Sequence, residues 1–234
     1  MTLNKLSQRK QKKTQTRPLP LEQEYEQEDS NEDNKSVILM PSIEEQGTRI
    51  VGLYGVIEEE KCAGIISMLY HMRETGKHPV PLEPENPESE VKIEIDPIEF
   101  LISTEGGLVS DMFSVYDVMR DVSKDCEIST FGVGKVMSAG VLLLAAGAKG
   151  KRRIGKHCRL MLHPISSGNY GQLHDLQNSY KEANILQEAY ITELSELSCG
   201  KLSKKKIKSL FRKKVDTYFD AQQALEWGIV DEIV

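Results

Sequence analysis

The stretch GVGKVMSAGVLLLAAGAKG, Gly132–Gly150, decides the class of fold. Ile128 to Val133 (ISTFGV) leads into it and reads as a strand, and from about Ser138 the residues are small or apolar helix formers. A strand passing through a glycine-containing turn into a buried helix is a building block of α/β architecture. The same turn puts the Ser138 hydroxyl at a helix N-terminus, where N–H groups without intrahelical partners can stabilise a developing oxyanion. A serine that only starts a buried helix has the same pattern. The G-x-S-x-G elbow is absent, because Val136 stands two positions before Ser138.

Upstream, Phe100, Leu101 and Ile102 read as a buried strand that runs into STEGG (Ser103–Gly107). Paired glycines there let backbone approach a ligand closely and leave N–H groups free to point at it; a tight strand-to-helix turn would use the same residues. The following helix carries Val109, Met112, Phe113, Tyr116 and Met119 on one face. Further upstream, Ile50, Val51 and Leu53 predict a short strand ended by Gly52 and Gly55. Cys62, Ile65, Ile66, Leu69 and Met72 then fall at helical spacing. Between these elements lies GKHPVPLEPENPESE (Gly76–Glu90), whose prolines argue against regular structure, and Val91, Ile93 and Ile95 alternate like an exposed strand.

Downstream, RLMLHP places His163 at the end of an apolar strand that Pro164 must stop. Such a position projects the imidazole into a cleft at the sheet edge, and histidine is the residue type of a general base. A long helix spans about Leu173 to Leu197, a lysine-rich one lies near Leu202 to Phe211, and DAQQALEWG and IVDEIV close the chain as helix and strand. Asp216 sits in the loop before the last helix, while Asp220 is placed to cap it. Strands alternating with helices predict an α/β fold with parallel sheet.

Bulk properties narrow the function. A net charge of −6 argues against general nucleic-acid affinity. The cysteines Cys62, Cys126, Cys158 and Cys199 are unpaired in sequence, which suits reduced thiols in a cytoplasmic setting and no disulfide framework. His157, Cys158 and His163 lack a second ligand cluster, so no metal is expected. GKRRIGKH (Gly150–His157) approaches a phosphate-binding loop, but His157 replaces the Mg²⁺-binding hydroxyl and a strand follows in place of a helix. No cofactor is implied. The most apolar run, Val141 to Ala146, is too short to span a bilayer, and no secretory leader is recognisable. Residues 1–46 begin basic (MTLNKLSQRKQKKTQTRPLP) and turn acidic (LEQEYEQEDSNED), a composition that predicts a disordered tail before a domain over 47–234.

Taken in order, STEGGLVSDMFSVYDVM, GKVMSAG with LLAAGAKGKR, RLMLHP and DTYFDAQQALEWGIVD resemble four segments of the proteolytic subunit of Clp proteases. The resemblance implies Ser138 as nucleophile, His163 as general base and Asp216 as the carboxylate that orients it. The backbone N–H groups of Gly107 and Ala139 would form the oxyanion hole, with Gly106 and Leu108 against the substrate. It implies a serine endopeptidase with the crotonase-like spiral of ββα units, a protruding handle over 168–200 made of a glycine-rich strand (SSGNYGQ) and a long helix, and a Pro/Glu-rich insert over 76–90. Polypeptide substrates, stacked heptameric rings of one chain and an AAA+ unfoldase partner come with it. Glu105 stands where that family has proline, Lys135, Val136 and Met137 replace glutamine and alanines, and Thr217 replaces an arginine. Three other readings share the fold: a non-catalytic ring subunit, a viral head-maturation protease, and a crotonase-type acyl-CoA enzyme.

Overall fold

The computed structural model describes residues 49–234 apart from 87, 167, 169 and 214, so the expected disordered tail lies outside the described residues. The first half comprises β1 (Ile50–Ile57), α1 (Glu59–Thr75), β2 (Lys77–Pro81), β3 (Val91–Ile95), β4 (Ile98–Gly107), α2 (Val109–Val122), β5 (Ile128–Met137) and α3 (Ala139–Ala145). The second comprises β6 (Arg152–Ile154), β7 (Arg159–Leu162), α4 (Leu173–Leu197), α5 (Lys204–Arg212), β8 (Thr217–Phe219), α6 (Ala221–Glu226) and β9 (Glu232–Ile233). The main sheet runs β1-β4-β5-β6-β9, with β7 beside β5 and β8 beside β7. Every pairing in it is parallel except β7–β8. This is the expected α/β class with a mainly parallel sheet.

Side-chain periodicity explains how the layers close. Ile98, Phe100 and Ile102 of β4 alternate into the core, and all three are fully buried. Helix α1 covers them with Cys62, Ile65, Leu69 and Met72, and α2 with Met112, Val115, Tyr116, Met119 and Val122, each an apolar stripe at helical spacing. The third helix, α3, is buried on every side, as its run of small and apolar residues requires.

Two expectations need correction. Strand β1 does not end at Gly52 or Gly55 but continues to Ile57, because pairing with β4 carries it through a register shift between Tyr54 and Val56. The Pro-rich insert is not wholly irregular: β2 pairs antiparallel with β3, setting Pro79 against Ile93 and Pro81 against Val91. The Leu82 N–H reaches across to the Glu90 carbonyl, so N–H groups of even-numbered residues face the partner strand. Both prolines occupy odd positions, where a missing N–H costs no ladder bond. Of the handle strand expected over SSGNYGQ (166–172), residues 167 and 169 lie outside the described residues, and 166, 168 and 170–172 are in no strand.

One irregularity positions the site. The pairs Ile102↔Gly132 and Thr104↔Val136 enclose two residue steps of β4 but four of β5, a bulge centred on Gly134 at φ +64°. Before the bulge β5 pairs with β6, and beyond it Lys135–Met137 pair with β7. The bend therefore carries the end of β5, and Ser138 after it, to the end of the strand that precedes His163.

Candidate active site

Ser138 joins β5 to α3 with φ 53° and ψ −120°, a conformation that costs a non-glycine residue about 1–3 kcal/mol. It is thus a strand-to-helix elbow in geometry, although its sequence lacks the usual flanking glycine two positions earlier. Backbone contacts hold it there. The Ser138 N–H donates to the Met161 carbonyl at 2.8 Å, extending the β5–β7 ladder by one residue. Its carbonyl accepts from the Val141 N–H at 3.1 Å and from the Tyr190 hydroxyl at 2.9 Å.

The elbow needs space, and Gly106 supplies it. A Cβ there would lie 2.7 Å from Ser138 Cβ and 3.0 Å from the Met137 carbonyl, and Gly106 adopts φ +95°. A Cβ on Gly107 would fall inside the backbone of Ile57. The Gly106 N–H is spent on Thr104 Oγ1 at 2.9 Å, whose hydroxyl in turn donates to the Gly55 carbonyl. Leu108 gives its N–H to the Ile57 carbonyl at 3.0 Å.

His163 follows β7 directly and places Nε2 2.8 Å from Ser138 Oγ. This is hydrogen-bond distance for transfer of a hydroxyl proton to an imidazole. A cleft of about 240 Å³ opens above the pair, lined among others by Glu105, Gly107, Val109, Ala139, Ile165 and Tyr190. Ala139 is the first residue of α3, so its N–H has no partner within the helix. Ser138, His163, Gly107 and Ala139 therefore meet around one small volume, with Gly106 packed beneath the serine. Leu108 is exposed and is not among the lining residues.

Asp216 stands apart. It is exposed and makes no side-chain hydrogen bond among the described residues, and none is made there by Nδ1 of His163. Yet the β7–β8 register, Leu160↔Phe219, Met161↔Tyr218 and Leu162↔Thr217, would pair His163 with Asp216 if continued by one residue. The carboxylate is in the right row of the ladder without being engaged.

Two groups that shape the site carry no recognisable sequence motif. Tyr190 lies in the apolar row of α4, where periodicity reads it as core and says nothing of the acceptor its hydroxyl finds. Lys135 pairs with Glu105 at 2.9 Å on the cleft rim, and the hydrogen bond from Lys135 holds the Glu105 carboxyl below the usual carboxylate range. The negative charge that Glu105 brings to this edge is thus locally neutralised.

Comparison with known families bears on the same residues: the sequence profile of the Clp protease family matches residues 88–234, more than half of the chain. The chain belongs to the Clp protease family. Membership makes it a Clp-type peptidase, and all four segments of this cleft (Glu105–Val109, Ser138–Ala139, His163–Ser166 and the Tyr190–Phe211 side) fall within the matched region. In this Clp-type peptidase the described helices include none long and apolar enough to cross a membrane.

Proposed function

We propose that this chain is a serine endopeptidase working through an acyl-enzyme, with Ser138 as nucleophile and His163 as general base. The observation that carries the reading is the 2.8 Å contact between Ser138 Oγ and His163 Nε2 at a strained elbow beside paired glycines. Ser138 Oγ attacks the scissile carbonyl carbon while its proton passes to His163 Nε2. The carbonyl oxygen becomes an oxyanion that the N–H groups of Gly107 and Ala139 receive. Collapse of this adduct breaks the C–N bond, the imidazolium gives its proton to the departing amine, and water then releases the acyl group by the reverse sequence of proton transfers.

Asp216 completes the proposal as the group that fixes the imidazole tautomer. Extending the β7–β8 pairing by one residue brings it opposite His163 without any change of register. Family membership further supports assembly into stacked rings that enclose the sites, unfolded polypeptide as substrate and delivery by an AAA+ unfoldase; a cytoplasmic setting is part of the same proposal.

The unengaged Asp216 favours one rival, a non-catalytic ring subunit. Labelling with a fluorophosphonate probe, followed by mass spectrometry of the modified peptide, separates the two. Modification of Ser138 that disappears in His163→Ala supports the enzyme; an assembled protein that takes no label is the non-catalytic subunit.

A further inference from the structure

We propose that Tyr190 and Gln187 of α4 are positioning residues that hold the two reacting segments against one helix; the inference rests on the serine-peptidase reading above. The two side chains are three residues apart on one face of α4, and each bonds backbone next to a reacting group. Tyr190 donates its hydroxyl to the Ser138 carbonyl at 2.9 Å. Gln187 accepts, through Oε1, the N–H of Ile165 at 3.1 Å, two residues beyond His163. One helix thereby holds both the nucleophile elbow and the chain that leaves the base.

The need for such a support follows from the backbone. Ser138 at φ 53° persists only if its surroundings over-determine it. Two of its three backbone contacts come from main chain, the Met161 carbonyl and the Val141 N–H, and the third is Tyr190, the side-chain contact among the described residues. Beyond His163 the β7 ladder has ended, and the Gln187 amide takes over where no strand pairs with the chain among the described residues. The helix that carries both is itself fixed to the core. Glu193 accepts from the Tyr116 hydroxyl of α2 at 2.5 Å, and Ile191 and Leu194 are buried. Tyr190 is 6% exposed, and burial pushes its phenol far above its ordinary range, so it remains a donor across all working pH.

Tyr190 lines the cleft but spends its hydroxyl on the Ser138 carbonyl, and Gln187 bonds the Ile165 N–H, so their effect passes through Ser138 and the segment after His163. Loss of either should therefore change turnover more than substrate affinity. The test uses the full chain with Tyr190→Phe, Gln187→Leu and the double variant. It compares kcat and KM on a fluorogenic peptide, the second-order rate of fluorophosphonate labelling at Ser138, and thermal melting. Tyr190→Phe should lower kcat and labelling roughly five-fold, the equivalent of one net hydrogen bond, with KM held within about two-fold. The double variant should lose more than either single one.

Wild-type kcat in Tyr190→Phe and Gln187→Leu, with wild-type protein labelled on Ser138, overturns the positioning role and leaves the serine mechanism standing. A loss that vanishes when rates are referred to titrated active sites also overturns it, because the residues are then merely structural. No label on wild-type Ser138 overturns both readings. Should Tyr190→Phe fail to fold, Gln187→Leu alone decides, since its side chain is only partly buried.

Discussion

Replacing Gly106 with alanine probes the site at its tightest point. The new methyl would sit 2.7 Å from Ser138 Cβ, 3.0 Å from the Met137 carbonyl and 3.2 Å from Ser138 Oγ. Carbon atoms in van der Waals contact lie about 3.5–4.0 Å apart, so something must yield by roughly 0.8 Å or more. The two nearest obstructing atoms, Ser138 Cβ and the Met137 carbonyl oxygen, are one bond from the backbone or part of it, so no side-chain rotation relieves the clash. At φ +95° alanine is also strained, at about 1–2 kcal/mol. If relief comes from the elbow, Ser138 Oγ moves from 2.8 Å toward about 3.6 Å from His163 Nε2, beyond a useful hydrogen bond. A displacement of that size at a reacting atom costs about 10²-fold in rate. The assay is kcat on a fluorogenic peptide together with the fluorophosphonate labelling rate and the urea midpoint. The expected outcome is a folded protein, destabilised by roughly 2–4 kcal/mol, whose kcat and labelling rate both fall about 10²-fold. A kcat within two-fold of wild type would refute the reasoning, because the serine would then not be where the paired glycines put it.

Other perturbations test separate parts of the argument. Ser138→Ala and His163→Ala should each lower peptide hydrolysis by on the order of 10⁴-fold while leaving the far-ultraviolet dichroism unchanged; residual activity near wild type in Ser138→Ala removes the serine from the mechanism. Asp231→Asn breaks a pair in which Arg152, 3% exposed, faces Asp231 at 2.5 Å, and should destabilise by roughly 2–4 kcal/mol in urea titration. Burial works against the Asp231 charge, but Arg152 and the N–H groups of Arg152 and Gly150 overcome it and hold the carboxyl below its usual range. A depressed carboxyl contributes stability above its unfolded value near 4, and this is lost as pH falls through the lower folded value, so Asp231→Asn should flatten the acid limb of stability against pH. Cys199 accepts a hydrogen bond from Lys149, which lowers its thiol, whereas burial raises Cys126 and pushes Cys62 to about 11 and Cys158 to about 12. Iodoacetamide near neutral pH should therefore modify Cys199 first by peptide mass mapping, and equal rates at all four thiols would contradict the arrangement.

Ordering by sequence distance explains which features could be read in advance. The stripes Cys62–Met72 and Met112–Val122 declare α1 and α2 because each needs only its own 3.6-residue period and one buried face. Strands β6 and β8, three residues each, escape such reading because their pairing depends wholly on β5, β7 and β9. The β2–β3 hairpin is hidden for a different reason: prolines are compatible with a strand at one parity and not the other, and parity is a property of the register, which Pro79 and Pro81 do not encode locally.

The candidate site divides along the same line. Ser138 after a glycine turn, His163 before Pro164 and the Gly106-Gly107 pair are visible because the chemistry constrains side-chain type, or its absence, at those positions. What brings Ser138 Oγ to 2.8 Å from His163 Nε2 is different in kind: the Gly134 bulge, the Met161 carbonyl and a hydroxyl from α4. Main-chain groups of many residue types could supply the second of these, and a bulge can tolerate several sequences, so neither leaves a motif. Asp216 lies between the two cases. Its residue type is legible, and its row in the ladder follows from Leu162↔Thr217, but engagement depends on one more step of pairing beyond β8. The Ser138–His163 contact is thus built by short-range backbone geometry within one chain, whereas Asp216, the proposed third member, waits on a strand end. A Clp-type peptidase built this way holds a formed Ser138–His163 contact while the carboxylate proposed to orient the imidazole is out of contact. If the working enzyme closes that last pair, Asp216→Asn should fold but hydrolyse peptide far more slowly than wild type, and equal rates would remove Asp216 from the mechanism.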